Sequence, residues 1–298
     1  MISEDKILYD KLKHNKTERI NSILSDKDVN SPYYNLCQAE INFQWALASI
    51  KFKDYFAAAN EVNKAYKLLT LNNKLYPAFY PNLKYLGLLH ILIGSVPDDY
   101  QWILKILKFR GKLSEGIKEM ERLSQLSKTN PAYHHLFIEN SVYLSYIYIN
   151  FNNEKEKLNQ LEETVFKDSL FKPLLKTPLI AYCRANIAVN TGHNDFAIKI
   201  LSELNYKNIN FFPFYYLDYF KGLVKLNRLD RDADVYLLNF LNNYKGKNYL
   251  KAACQKLAWF YLINDDKEGY LENINKIGVL GENNVDEDKQ AYREYLSK

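Results

Sequence analysis

Residues 84–120 read KYLGLLHILIGSVPDDYQWILKILKFRGKLSEGIKEM, and glycines divide this segment into three stretches with helical apolar spacing. The first stretch is mostly apolar over residues 85–93 and stops at Gly94, which can adopt the left-handed conformation that closes a helix. Ser95 begins the second stretch with the spacing of a capping box, and Gly111 ends it. The segment therefore predicts three helices joined by tight turns.

The same periodicity runs through the rest of the chain. It predicts further helices over residues 5–25, 32–52, 54–69, 131–150, 154–166 and 286–296. Only 10 glycines and 8 prolines occur in 298 residues, which is too few for a β-protein with many turns. We therefore predict an all-α fold with residues 1–298 as a single helical-repeat domain. The proline-containing link at residues 167–178 is the best candidate for an internal boundary.

Composition places the chain among ordinary globular proteins, with 47% hydrophobic and 25% charged residues. The net charge of +5 is small against 40 basic and 35 acidic residues, so it permits an acidic partner without implying one. The longest apolar run is far shorter than the roughly 20 residues of a transmembrane helix, and the charged N-terminus lacks the apolar core of a signal peptide. The sequence as it stands predicts a soluble, cytoplasmic protein.

Pairs of positions recur at a spacing typical of helical hairpins. Four pairs are 12 residues apart, and the first two hold small residues on both sides: Ala46 and Ala58, Ala185 and Ala197, Gly222 and Asp234, Ala258 and Tyr270. Antiparallel helices approach closely where small side chains meet, so these pairs predict crossing points. The starting positions 185, 222 and 258 are separated by 37 and 36 residues, close to the roughly 34-residue period of a two-helix repeat.

These positions resemble the tetratricopeptide repeat. The likeness is carried by ALASIKFKDYFAAANEVNKA at residues 46–65 and by ANIAVNTGHNDFAIKIL at residues 185–201, with Pro178 placed to open a repeat. Residues 84–120 narrow the resemblance to the tetratricopeptide family that contains the yeast inclusion-body clearance protein and bacterial repeat proteins related to it. The resemblance covers roughly residues 33–290. It implies antiparallel hairpins stacked into a right-handed solenoid that serves as a scaffold for protein contacts and has no enzymatic activity.

The resemblance also implies where a partner would bind. In this repeat, the first helix of each hairpin lines a concave groove, and positions 2, 5 and 9 of that helix point into it. Counting from the small residue as position 8, the register places five residues in an aromatic groove for a protein or peptide partner: Tyr182, Asn186, Tyr216, Tyr219 and Trp259. Such a groove suits an amphipathic helix or an extended peptide. The equally weighted alternative is that the aromatic residues of 211–220 pack between repeats as core.

Bacterial members of the family often carry an export leader and extra helices at both ends. The resemblance therefore makes a periplasmic or cell-envelope location the alternative to a cytoplasmic one. Repeats of this kind that clamp a C-terminal carboxylate carry lysine at position 5 and asparagine at position 9. Asn186 fits that pattern, but Tyr182 stands in place of the lysine, which argues against a clamp for chaperone tails.

A basic helix offers a second functional hypothesis. In WILKILKFRGK at residues 102–112, helical spacing places Lys105, Lys108 and Lys112 on one face and apolar residues on another. A basic amphipathic helix can bind an anionic membrane surface or phosphate groups. The segment is short, however, and an apolar face is also what a repeat helix packs against its neighbours. Packing is therefore the favoured interpretation, and we expect no nucleic-acid partner.

Motifs of known catalytic and metal-binding chemistry are absent from the sequence. Three widely separated cysteines, Cys37, Cys183 and Cys254, fit neither a disulfide framework nor a zinc site. Adjacent His134 and His135 would point about 100° apart on a helix, so one ion could not easily bind both. There is no HExxH, CxxC, GxSxG or glycine-rich phosphate loop. We therefore predict a protein that is not an enzyme and has no cofactor or metal.

Two other groups of polar side chains could be read as functional. Glu115, Glu119, Glu162 and Glu163 include pairs of nearby carboxylates, but on amphipathic helices they are typical of a solvated face. His90 stands alone in an apolar stretch, and we expect it to be a hydrogen-bonded histidine of the core.

Overall fold

The computed structural model describes residues 4–25, 28–96, 98, 104, 109–152, 154–204 and 212–297. Within these residues the protein forms 15 α-helices and no β-strand, and neighbouring helices pack in pairs. The predicted all-α class is therefore confirmed. The chain separates into two compact units, of which the first spans Lys6–Glu154 and the second begins at Lys155 and includes Glu4 and Asp5. The link at residues 167–178 lies inside the second unit, where Ser169–Leu174 forms a 3₁₀ helix.

The described residues of the first unit form seven α-helices. They are α1 Lys6–Lys13, α2 Asn15–Ser25, α3 Pro32–Lys51, α4 Tyr55–Leu75, α5 Asn82–Gly94, α6 Leu113–Lys128 and α7 His134–Ile147. The single helix predicted over residues 5–25 is wrong, because α1 ends at Lys13 and α2 begins at Asn15. The helix predicted between Ser95 and Gly111 lies largely outside the described residues, while α5 and α6 occupy the predicted first and third positions.

Local capping explains where α3 and α4 begin. Pro32 occupies the first turn of α3, and the Ser31 hydroxyl accepts a hydrogen bond from the backbone N–H of Tyr33. Asp54 caps α4 by accepting from the N–H of Ala57 at 3.2 Å. The two helices then pack along each other, with Ala46 and Ala58 both buried, as their spacing predicts.

Buried asparagines connect three helices of the first unit. The side-chain amide of Asn72 in α4 donates to the carbonyl of Pro32 and to Oδ1 of Asn82, both at 2.8 Å. Asn35 in α3 lies 3.4 Å from Oδ1 of Asn72. Because these groups are buried and hydrogen-bonded to one another, they fix how α3, α4 and α5 align. Asn72 lies beyond residue 69, where α4 was predicted to end, and the helix continues to Leu75.

A close helix contact in the first unit joins α5 to α6 at two glycines. A Cβ atom built on Gly116 would lie 2.4 Å from the carbonyl oxygen of Gly87, and one built on Gly87 would lie 2.9 Å from Cγ of Met120. The helices are antiparallel, since Gly94 at the end of α5 lies against Leu113 at the start of α6. Side chains one turn away on either helix are therefore brought together across the interface.

The described residues of the second unit form a short first α-helix, three successive helical hairpins and a final helix. Its α-helices are α8 Lys155–Gln160, α9 Pro178–Asn190, α10 Asn194–Ser202, α11 Tyr216–Asn227, α12 Ala233–Asn243, α13 Leu250–Ile263, α14 Lys267–Ile277 and α15 Asp286–Leu296. The hairpins pair α9 with α10, α11 with α12, and α13 with α14, and α15 packs on the last of them. The bounds of α15 are those predicted from the sequence.

Small residues set two of these crossings. Ala185 and Ala197 are fully buried where α9 packs on α10, in agreement with the predicted crossing. In the next hairpin, a Cβ on Gly222 would meet Leu237 at 2.7 Å and the carbonyl of Ala233 at 3.2 Å. The small partner of Gly222 is therefore Ala233, one residue before the predicted Asp234.

The first residues of the described chain belong to the second unit. The carboxylate of Glu4 accepts hydrogen bonds from the backbone N–H groups of Lys247 and Asn248 at 3.1 and 3.2 Å, and from the Asn248 side chain at 2.7 Å. Glu4 and Asn248 are both buried. This carboxylate therefore accepts the hydrogen bonds of N–H groups in the loop that leads into α13.

Candidate functional site

Three half-buried tyrosines form a continuous row across the three hairpins of the second unit. Tyr182 belongs to α9, Tyr216 begins α11, and Tyr249 directly precedes α13. The ring centroids of Tyr182 and Tyr216 are 5.9 Å apart, and those of Tyr216 and Tyr249 are 4.9 Å apart, both in edge-on contact. We call these residues the tyrosine row. Because each lies in, or directly before, the first helix of its hairpin, the row runs from one hairpin to the next.

The position of Tyr182 is set by aromatic neighbours and by its own helix. Its ring packs edge-on against Phe214 at 5.6 Å and Phe220 at 5.4 Å. The side-chain amide of Asn186 donates to the Tyr182 hydroxyl at 3.2 Å, and Oδ1 of Asn186 accepts from Asn190 at 3.0 Å. Asn186, which was predicted to face a partner, therefore lies beside the row and orients the hydroxyl of Tyr182.

Tyr219 lies beneath the row rather than in it. It is 2% exposed and belongs to a hydrophobic cluster of α11, α12 and α13. Its ring contacts Tyr216, Phe240 and Tyr249, each at 5.4 Å between centroids. In this conformation Tyr219 presents no surface to a partner, although the repeat register placed it in the groove. Its role is to support the two rings above it.

The hydroxyl group of Tyr216, at the centre of the row, remains protonated over the ordinary pH range. Burial, with nearby tyrosines as a smaller cause, raises the pKa of Tyr216 well above its usual value. Burial likewise raises the pKa of Tyr219, to which the negative charge of Glu287 adds. Neutral hydroxyls can both donate and accept hydrogen bonds, so the surface combines apolar ring faces with polar tips.

Trp259 is held by α15 and takes no part in the tyrosine row. Its indole Nε1–H donates to Oε1 of Glu294 at 2.9 Å, and Gln255 donates to the other carboxylate oxygen at 2.5 Å. The ammonium group of Lys256 lies 3.5 Å from the centroid of the Trp259 ring. Burial lowers the pKa of Lys256 to about 8. The register placed Trp259 in the groove, and in the structure α15 contacts that position.

The end of the row is fixed by Asp288 of α15. Asp288 is fully buried, and its carboxylate accepts from the N–H of Tyr249 at 2.6 Å and of Ala252 at 3.0 Å. It therefore caps α13 from another helix and holds Tyr249 in a left-handed conformation with φ of 66°. Burial raises the pKa of Asp288 to about 6. Neither Asp288 nor Tyr249 was predicted from the sequence. The capping carboxylate lies 36 to 39 residues away from the N–H groups that it caps, so no local motif reveals it.

A second group of polar side chains lies in the first unit. His90 of α5 and Glu119 of α6 are joined by a hydrogen bond of 2.7 Å between Nδ1 and Oε2, which raises the pKa of His90. Glu115 is close enough that one ligand atom from each of the three lies within 4.8 Å of the others. These three side chains could hold a metal ion. His90 is hydrogen-bonded, as expected, but it faces a carboxylate instead of standing alone in the core.

The basic helix of residues 102–112 lies largely outside the described residues, and these include Lys105 and Lys108. Lys112 is exposed directly before α6. No helix among the described residues is long and apolar enough to cross a membrane.

Neither a scan against protein-family models nor a search of curated proteins found a match for this chain. The tetratricopeptide resemblance therefore stays a prediction.

Proposed function

We propose that this protein is a non-enzymatic scaffold or adaptor that binds a protein or peptide partner across the tyrosine row. The supporting observation is the row itself, formed by Tyr182, Tyr216 and Tyr249 from three successive hairpins. Tyrosine offers a large, rigid face and a polar tip, and it loses little side-chain entropy when a partner binds. A surface built from several such rings is typical of recognition sites.

The spacing of the rings favours an amphipathic helix as the partner. The two ring-to-ring distances, 5.9 and 4.9 Å, average close to the 5.4 Å pitch of an α-helix. A helix lying along the row would present one apolar side chain to each ring per turn. Alternate side chains of an extended peptide are about 6.7 Å apart, so they would not stay in register with the rings.

The stacking of hairpins supports a repeat scaffold of the tetratricopeptide type. In the second unit, each hairpin contributes one tyrosine to the row from within or directly before its first helix, and small residues set the crossings at Ala185 with Ala197 and at Gly222 with Ala233. We propose that these hairpins are tetratricopeptide-like repeats stacked with a right-handed turn. On this proposal, residues 84–120 form the irregular unit of the family it resembles.

A display library of amphipathic helical peptides tests the function directly. The purified protein selects binders, and fluorescence anisotropy then gives the Kd of the best peptide for wild type and variants. Tyr182→Ala combined with Tyr216→Ala should weaken binding at least about 30-fold, because truncated aromatic anchors typically cost 2 kcal/mol or more and each 1.4 kcal/mol is tenfold. Tyr182→Phe, which keeps the ring, should lose less binding affinity than Tyr182→Ala.

The matched control is Tyr146→Ala, which removes a tyrosine that is 56% exposed and belongs to the first unit. Its binding should equal that of wild type. The proposal fails if no peptide is selected, or if the selected peptide binds the Tyr182→Ala and Tyr216→Ala variants as tightly as wild type. Circular dichroism of each variant confirms that the helices remain folded.

A further inference from the structure

The glycine contact between α5 and α6 assembles a group of metal-ligating side chains. His90 lies one turn beyond Gly87 on α5, and Glu115 and Glu119 flank Gly116 on α6. Since the two backbones touch at the glycines, a histidine and two carboxylates from different helices meet at one end of the contact. The carboxylates are four residues apart and therefore lie on the same face of α6.

The distances fit a single ion. Nδ1 of His90 lies 2.7 Å from Oε2 of Glu119, and a ligand atom of Glu115 completes a set within 4.8 Å. Nitrogen and oxygen ligands bind transition metals at about 2.0–2.2 Å, so two ligands of one tetrahedral ion are about 3.3–3.6 Å apart. His90 and Glu119 would therefore move apart by less than about 1 Å, and the exposed Glu115 side chain would approach by about 1–1.5 Å to complete the set. The ion would displace the proton that His90 and Glu119 share.

The surroundings leave room for further ligands. Glu115 and Glu119 line an open cleft of ≈ 680 Å³, so the side of the ion away from the helices would face this space. The side chains of His90 and Glu119 are only 12% and 21% exposed, which limits competition from water. Lys118 and Arg122 line the same cleft and repel a cation, so we expect a Kd in the micromolar range rather than lower.

The geometry points to a binding site for one divalent transition-metal ion, held by His90, Glu115 and Glu119. Imidazole nitrogen favours ions such as Zn²⁺ over Mg²⁺ and Ca²⁺, which prefer oxygen ligands alone. Three protein ligands with open positions are the arrangement of metal sites that accept a water molecule or another small ligand. The site lies in the first unit and does not depend on binding at the tyrosine row.

Titration of the untagged, metal-free protein with Zn²⁺ in a calorimeter tests the inference. Wild type should bind one equivalent of Zn²⁺ with a micromolar Kd, and Mg²⁺ should give no saturable signal at the same concentrations. Glu119→Gln and Glu115→Gln should each weaken Zn²⁺ binding at least tenfold while the far-UV circular dichroism stays unchanged. Both substitutions keep the side-chain volume, so neither should unfold the helix pair.

Matched controls remove a histidine and a carboxylate elsewhere on the surface. His135→Ala and Glu268→Gln change exposed residues outside the cluster and should leave the Kd for Zn²⁺ unchanged. The assignment is overturned if wild type shows no saturable binding. It is equally overturned if the Glu115 and Glu119 variants bind as wild type does, because the ion would then be held by other side chains.

Discussion

Asp288 should make the second unit more stable as the pH falls, the opposite of what an ordinary surface aspartate does. Its carboxylate is fully buried and caps α13 through the N–H groups of Tyr249 and Ala252. Burial raises its pKa to about 6, whereas in the unfolded chain the pKa of an aspartate lies near its ordinary value of 3.8. The stabilising contribution of protonated Asp288 is therefore complete below about pH 3.8 and is lost as the pH rises through about 6.

The size of the effect follows from the two pKa values. A difference of about two pKa units corresponds to roughly 3 kcal/mol in the free energy of unfolding between low and neutral pH. Screening by nearby solvent reduces this to about 2 kcal/mol. In a unit of this size, about 2 kcal/mol shifts the Tm by about 4–8 °C.

Asp288→Asn isolates this effect, because the variant keeps one hydrogen-bond acceptor but cannot ionise. Thermal unfolding of both proteins at pH 7 and pH 4 gives the difference in Tm at each pH. The Tm of wild type minus the Tm of the variant should increase by about 4–8 °C from pH 7 to pH 4. The control is Asp286→Asn. Lys289 lowers the pKa of Asp286, so the stabilising contribution of Asp286 is lost mainly below pH 3.8, and the Tm difference between wild type and this variant should change little from pH 7 to pH 4. A Tm difference between wild type and Asp288→Asn that does not change with pH would refute the reasoning.

Two further substitutions test the packing. Gly116→Ala should destabilise the first unit by about 1–3 kcal/mol despite the better helix propensity of alanine, because the new methyl group meets the backbone of Gly87 at 2.4 Å. Urea unfolding would measure this loss of stability, and Ser114→Ala on the same helix is the control. A Gly116→Ala variant more stable than wild type would contradict the prediction. Ala197→Leu should cost the second unit about 1–3 kcal/mol, because Ala185 and Ala197 leave no space at their crossing. An unchanged Tm in Ala197→Leu would remove that crossing from the proposed repeat register.

The sequence predicted those parts of the fold that depend on local pattern. The bounds of α15 and the starts of α3 and α9 follow from apolar spacing and from capping residues such as Ser31 and Pro178. The break between α1 and α2 at His14 could not be predicted, since residues 5–25 keep a helical spacing throughout. The extension of α4 depends on Asn72, whose hydrogen-bond partners come from other helices.

The candidate sites were predicted only in part, because burial depends on contacts between helices. The repeat register located Tyr182 and Tyr216, but it could not show that Phe240 and Tyr249 enclose Tyr219. The hydrogen bond between His90 and Glu119 could not be predicted from the sequence either. It requires the close glycine contact, which places two residues 29 positions apart side by side.

The hydrogen bonds of Glu4 can form only after the ribosome has synthesised residues 247 and 248. The partners of this carboxylate, Lys247 and Asn248, are made more than 240 positions after Glu4. At about 5–20 residues per second, a ribosome needs roughly 10–50 s to cover that distance. Throughout this interval the first unit, which lies between them in the sequence, can fold while Glu4 still lacks the loop that donates its hydrogen bonds. These hydrogen bonds of the second unit therefore form only after the whole first unit has been synthesised.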